Sequence, residues 1–451
     1  MHCLYCSQVA PATTSLGEGN FRNSVIMATE MSGASEMSRM ECEDSSEDET
    51  QDGKSGSEGG QGGGGPPPSA GPQGAGTTKP GSNKPGPDVE VPKPGGRPLE
   101  PIKEVICTLG GIAATVKRFP VDGLCEYIFY THVFVNSNSS ELQSTTTASS
   151  YKVFLDRMLL YSNTEGGLSF DIQVADRKLV EKVNQTLQDL QRKNILHYGS
   201  LNVIDAVGNL RPMVLRALEL LKELRKVQGD DKKRTVIAIG GLNYDSLDAF
   251  EKYENAIKLA GARNSGADTV IAISSTNAWF DEITACVAVP PATLTPTDTR
   301  FPGLVRNIDL ISEKSQFLSD YTIGGLSMEL AAILYTFGAN ITDPLHSIAY
   351  KPCTSATLAH LDMACESDSA NRVSVMDFRA AFANQSKSMV LFYDDIVTIS
   401  EKVTKVMEKL QRRRVAWLYF DVLFTDFLNR CGFNDPFEPI EILRDEFMRI
   451  L

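Results

Sequence analysis

Thr235-Val236-Ile237-Ala238-Ile239-Gly240-Gly241, a helical stretch over 246–260, and Thr269-Val270-Ile271-Ala272-Ile273 decide the fold class. Both runs are apolar at nearly every position instead of every second one. A strand of that kind is covered on both faces, the condition of a parallel sheet joined by helical crossovers. Outward from this unit the alternation recurs. Toward the N-terminus lie apolar runs at 104–109, 127–135 and 195–204, with helical spacing over 151–161 and 177–193. Residues 168–172 read as a minor extended piece. Toward the C-terminus follow 284–289, 321–329 and 415–420. Eight principal strands with intervening helices predict an α/β fold, a TIM (β/α)8 barrel, with an open doubly wound sheet as the alternative.

The chain has 451 residues and a formal charge of −13. That balance lacks the basic footprint of a nucleic-acid binder. Residues 1–100 contain the acidic block Glu41-Cys42-Glu43-Asp44-Ser45-Ser46-Glu47-Asp48-Glu49 and a Gly/Pro-rich run. Such a segment cannot bury enough apolar area to offset chain entropy, so it is expected to be a disordered tail, with 101–451 as the folded domain. No apolar run approaches the ~18–20 residues that span a bilayer, and residues 1–31 lack the basic start and apolar core of a secretory signal.

Three of the nine cysteines (Cys3, Cys6, Cys42) lie in the tail. The other six, Cys107, Cys125, Cys286, Cys353, Cys365 and Cys431, permit three disulfides in an oxidising compartment; buried free thiols in the cytosol are the alternative. Asn138, Asn184, Asn340 and Asn384 head glycosylation sequons. The five histidines never fall at metal-ligand spacing, and no phosphate loop follows a strand, so neither metal nor cofactor is expected.

Particular residues carry a resemblance over roughly 101–451. Tyr393-Asp394-Asp395-Ile396-Val397-Thr398-Ile399-Ser400-Glu401-Lys402, then Asp426-Phe427 and Cys431-Gly432, resemble the closing segment of family-18 glycoside hydrolases, the chitinases and chitinase-like lectins. Thr398 stands where that segment has Ser. Thr322-Ile323-Gly324-Gly325-Leu326-Ser327-Met328-Glu329 is similar to the family's seventh strand in outline. The divergent pattern looks most like the chitinase-like proteins of ticks and mites. The resemblance implies a Cys107–Cys125 bond, a small insertion at 330–392 between strands seven and eight, and an extracellular or membrane-tethered setting. The remaining four cysteines stay unassigned.

The resemblance also implies a catalytic strand, and there the chain departs. Family-18 hydrolysis needs Asp-Gly-x-Asp-x-Asp-x-Glu on the fourth strand, with alternate carboxylates facing the mouth. Counted from sequence, the fourth strand is 235–242 and holds no carboxylate; Asp245 follows in the loop. The sixth strand, taken as 284–289, ends in Val289-Pro290-Pro291 where the family has Tyr-Asp, and Phe420 stands where it has a Trp under the sugar. Trp417 is three residues earlier, on the opposite face. Glu329 is either a ligand-contacting acid or the first residue of a helix over 329–337. The expected role is that of a non-hydrolysing barrel binding a chitin-like oligosaccharide or a protein partner, with Glu329, Phe420 and Asp245 as candidate ligand contacts. The alternative is a glycosidase with relocated carboxylates.

Overall fold

The computed structural model describes residues 100–449 apart from 116–117, 230–232, 243–245, 276–285, 302, 313–314, 367–371, 376 and 384–385. The expected tail up to residue 99 therefore lies outside the described residues, as do Asp245 and Asn384.

The ring starts with β1 (Ile102–Leu109) and β2 (Tyr127–Val135); β3 (Leu142–Ser144) pairs antiparallel with β2 outside it. It continues through β4 (Glu165–Phe170), β5 (Ile195–Ala206), β6 (Thr235–Leu242), β7 (Thr269–Ala272) and β8 (Ile323–Glu329). The chain then leaves for a separate antiparallel sheet of β9 (Ala332–Thr336), β10 (Ser355–Ala359), β11 (Arg372–Val375), β12 (Phe378–Phe382) and β13 (Met389–Tyr393). β14 (Arg414–Phe420) returns between β8 and β1, and β1 pairs with β2, so eight parallel strands close. Helices alternate with them. α1 (Ala148–Met158) precedes β4, and α2 (Arg177–Val180) with α3 (Asn184–Gln191) precedes β5. α4 (Leu210–Gln228), α5 (Leu247–Gly261) and α6 (Leu304–Ile311) lead into β6, β7 and β8. α7 (Asp362–Cys365) lies within the second sheet's connections, α8 (Ile396–Lys409) precedes β14, and α9 (Glu438–Arg449) follows it.

Three sequence expectations are corrected. Residues 284–289 are not a barrel strand: Cys286 is bonded to Cys353, and Val287 makes an isolated bridge to Pro352, so this run packs on the second sheet. The vacated place belongs to β4, read from sequence as a minor piece. Its weak signal has a steric cause. A Cβ on Gly167 would sit 2.6 Å from the Phe129 ring, and one on Gly166 2.6 Å from Ile195 Cδ1. The third strand is glycine-rich because its neighbours fill the space a side chain would take. Barrel strands four, five and six are therefore β5, β6 and β7. Thirdly, the segment after Glu329 is strand β9 rather than a helix.

Inside the ring, Ile106, Phe129, Leu201, Val236, Ile271, Ile323, Ala416 and Leu418 form one apolar cluster, while Val105, Ile128, Leu168, Ile237, Val270 and Trp417 face the helices. That alternation gives the two-sided burial expected of a parallel sheet. Trp417 thus packs outward, stacked on Tyr419 with ring centroids 6.1 Å apart. The lower end of the barrel is polar but paired. Arg234 Nε donates to Glu104 Oε1 at 3.0 Å, and Tyr127 Oη to the same atom at 3.1 Å. His197 Nδ1 accepts the Arg234 N–H at 2.9 Å, which leaves Nε2–H to donate to Glu165 at 2.7 Å.

The closing segment builds architecture. Asp395 caps α8 by accepting the Thr398 N–H at 2.9 Å, and Thr398 Oγ1 accepts the Asp395 N–H at 3.0 Å. This capping box needs a hydroxyl at 398, which Thr supplies as well as Ser. Lys402, wholly buried, donates to Asp394 and to the Ala292 carbonyl. Burial raises the Asp394 carboxyl, and the Lys402 charge opposes the rise. The six cysteines form Cys107–Cys125, Cys286–Cys353 and Cys365–Cys431.

Candidate functional site

The C-terminal ends of the barrel strands form the mouth, where barrel enzymes place their chemistry. On the fourth barrel strand, β5, Tyr198-Gly199-Ser200-Leu201-Asn202-Val203-Ile204-Asp205 lies on the Asp-Gly-x-Asp-x-Asp-x-Glu pattern. The glycine is kept, Leu and Val replace the middle carboxylates, and Asp205 occupies the last place. Geometry then removes Asp205. Ser200 pairs with Ile237 and Val203 with Ile239, so one extra residue bulges from β5 and reverses its alternation. Leu201 and Ile204 both join the interior cluster, and Val203 joins the outer one. Asp205 turns the other way from Ile204, accepting the Ala206 N–H at 2.6 Å and the Asn209 Nδ2–H at 3.3 Å. No carboxylate of this strand points into the barrel. The residues following the sixth barrel strand are Ile273-Ser274-Ser275, not Val289-Pro290-Pro291; Ser275 Oγ lies 2.8 Å from Ser327 Oγ of β8.

The polar groups that do gather at the mouth come from other strands. Glu329, fully buried, ends β8 beside Phe420, its register partner on β14. Its Oε1 accepts the Ala331 N–H at 3.0 Å. Asp421 follows Phe420 with φ 51° and donates its N–H to Thr108 Oγ1 at 3.0 Å. Burial pushes the Asp421 carboxyl up to about 6, and its interaction with Glu329 opposes the rise. Across the mouth, His132 Nδ1 lies 2.8 Å from Ser169 Oγ, which accepts the Leu201 N–H at 3.0 Å. Burial lowers the His132 imidazole against the pull of Asp171. Asp171 Oδ1 in turn accepts from Asn202 Nδ2 at 2.9 Å.

Of the three candidate contacts, Glu329 and Phe420 are brought together and Asp245 lies outside the described residues. Phe420 is 6 % exposed, its ring within the interior cluster. Asp421, Asp171 and His132 escaped the sequence reading. Asp421 sits one residue beyond a strand end and takes a left-handed backbone, a placement without a period-two signal. Ser169 is fully buried and offers no open nucleophile. Among the described residues no group of three or more His, Cys, Asp or Glu is placed to hold a metal ion.

Asn138, Asn184 and Asn340 are exposed. No helix among the described residues is long and apolar enough to cross a membrane.

No protein-family model and no curated protein sequence matches the chain. Solved structures do. A family GH18 chitinase from Cycas revoluta, in complex with allosamidin, superposes with a TM-score of 0.52 at 12 % identity, over 76 % of this chain and 99 % of that one. The Group IV chitinase of Ostrinia furnacalis gives 0.50 at 14 %, over 77 % and 100 %. Human YKL-39, described as a pseudo-chitinase with retained chitooligosaccharide binding, gives 0.51 at 9 %, over 76 % and 99 %. These likenesses establish architecture rather than activity: the chain folds as a divergent family-18 chitinase-like barrel.

Proposed function

We propose that this protein is a chitinase-fold binding protein that does not hydrolyse glycosidic bonds. The observation that carries the reading is the bulge in β5, which leaves the fourth strand with Leu201 and Ile204 facing inward and Asp205 facing out. Absence of a positioned general acid alone typically costs ~10²–10⁴ in rate. The ligand class is a chitin-type oligosaccharide, met at the mouth by Glu329 and, beneath it, Phe420. Asp245, three positions after the end of β6 in sequence, is a third contact in this reading. The three disulfides favour an extracellular setting, and Asn138, Asn184, Asn340 and Asn384 are the proposed glycosylation sites.

A second reading, a protein partner, is favoured by the burial of the described residues at the mouth. Phe420, Glu329, Leu242 and Ile273 are all buried, and the exposed aromatic among the described residues, Tyr321, precedes β8 at the opposite end.

The test is calorimetric titration of the whole protein with chitin oligomers, run beside a reducing-end turnover assay. Binding without turnover is expected, and binding should weaken in Phe420→Ala with the fold retained. Turnover that Glu329→Gln abolishes would overthrow the non-hydrolysing assignment. Oligomers that fail to bind at all would favour the protein partner.

A further inference from the structure

Three loops at the lower end of the barrel, away from the mouth, are tied into one surface. They precede β2, β4 and β5, parallel strands that all start at that end. Asp122 accepts the N–H groups of Ser162, Asn163 and Thr164 at 2.9, 2.8 and 2.8 Å, and Tyr161 Oη donates to the Pro120 carbonyl. Asn194 Nδ2 donates to the carbonyls of Met158, Tyr161 and Thr164 at 3.3, 3.3 and 2.9 Å. Out of this frame stand three apolar side chains: Val121 is 56 % exposed, Leu159 52 % and Leu160 71 %. Single exposed apolar residues are ordinary, but several on loops bonded to one another mark a surface that meets an apolar phase.

Cations surround them. Arg118 and Lys193 are exposed, and the Arg157 guanidinium lies 4.8 Å from the centre of the Phe119 ring. None of the three makes an ion pair among the described residues. The neighbouring carboxylates are engaged elsewhere: Asp122 by the amides above, Asp156 by Lys152, and Asp189 by Arg192 at 3.2 Å. The chain's formal charge is −13, so a basic rim here does not follow from composition.

We infer that this face docks on a bilayer containing anionic phospholipid, with Val121, Leu159 and Leu160 entering the headgroup region and Arg118, Arg157 and Lys193 meeting lipid phosphates. A polyanion in water would engage the cations and leave the leucines exposed, whereas a bilayer takes both. The mouth, at the other end of the ring, then faces away from the lipid. The docking does not depend on the ligand at the mouth, and its test needs none.

The full chain is floated with vesicles of one part phosphatidylserine to two parts phosphatidylcholine, and with phosphatidylcholine alone, at ~0.1 M salt, where the screening length is ~10 Å. Binding to the anionic vesicles is expected to be at least tenfold tighter. Arg118→Glu with Lys193→Glu should abolish that preference, since each cation near such a surface contributes ~5-fold. Leu159→Ser with Leu160→Ser, which leaves the charge unchanged, should weaken binding to the anionic vesicles at least tenfold, with circular dichroism confirming the fold. Should that double variant fail to fold, Leu160→Ser alone, at the most exposed of the three positions, carries the same test. No flotation with either vesicle, or equal flotation with both, overturns the inference. Anionic binding that the leucine substitutions leave unchanged identifies a contact with charge alone and overturns it as well.

Discussion

Lys402→Met exposes how much of the closing segment serves stability. The Lys402 side chain is 0 % exposed and that of Asp394 1 %. Lys402 Nζ holds both the Asp394 carboxylate and the Ala292 carbonyl, the latter in the segment after the sixth barrel strand. Methionine keeps most of the side-chain volume but removes the charge. The carboxyl then remains in a dry interior with its main counter-charge gone, and breaking a buried pair from one side costs ~3–5 kcal/mol. The sign with pH follows. Burial already raises Asp394, and without Lys402 it rises further. A folded-state value above the unfolded ~3.9 means stability is kept below that pH and lost as pH climbs toward the folded value. The variant's deficit should therefore be larger at pH 8 than at pH 5. Guanidinium unfolding at both pH values measures it. The double variant Lys402→Met/Asp394→Leu should recover much of the loss, since apolar replacement of a whole buried pair is often neutral. A loss under ~1 kcal/mol, or a double variant no better than the single one, would refute the reasoning.

Gly325→Ala should cost ~1–3 kcal/mol, because its Cβ would meet Ile271 Cδ1 at 2.3 Å and the Ala416 carbonyl at 2.7 Å; chemical denaturation reads it, and a neutral result would place the β7–β8–β14 contact wrongly. Replacing Cys286 and Cys353 by Ser opens a crosslink with a sequence separation of 67, for which chain entropy gives an upper estimate of ~4 kcal/mol; the same unfolding assay tests it. Asp122 accepts the N–H groups of Ser162, Asn163 and Thr164, which outweigh burial and hold its carboxyl down at about 2. Its contribution is present above the unfolded value and lost as pH falls toward 2. Asp122→Asn should thus lower Tm at pH 6, with the gap closing as pH drops from 4 to 2; a gap constant with pH would contradict this.

The ring was legible in β6 and β7 because Val236–Ile239 and Val270–Ala272 are apolar on both faces, and such runs have few other homes. β4 was not, because its glycines answer to Ile195 and Phe129, contacts 29 and 38 residues away in sequence. Residues 284–289 misled in the opposite sense: an apolar run gains burial equally well on a neighbouring sheet. That exchange moved the strand count, and with it the place to look for the catalytic carboxylates. The pairing Cys107–Cys125 followed from resemblance, while the other two bonds depended on where the second sheet stands. The bulge in β5 had no local signature, since Ser200, Leu201, Asn202 and Val203 suit a regular strand as readily. The carboxyl pair at the mouth joins residues 92 positions apart in the chain, Glu329 and Asp421, and only closure of the barrel brings them together.

The bonds Cys286–Cys353 and Cys365–Cys431 do not overlap along the chain. A single backbone cut between 286 and 353 leaves one covalent molecule, as does a cut between 365 and 431. A cut between Cys353 and Cys365, the stretch that carries β10, is spanned by neither bond. It divides the oxidised protein into two pieces held by noncovalent contacts alone, one with seven strands of the ring and the other with β14, still hydrogen-bonded to β1 and β8.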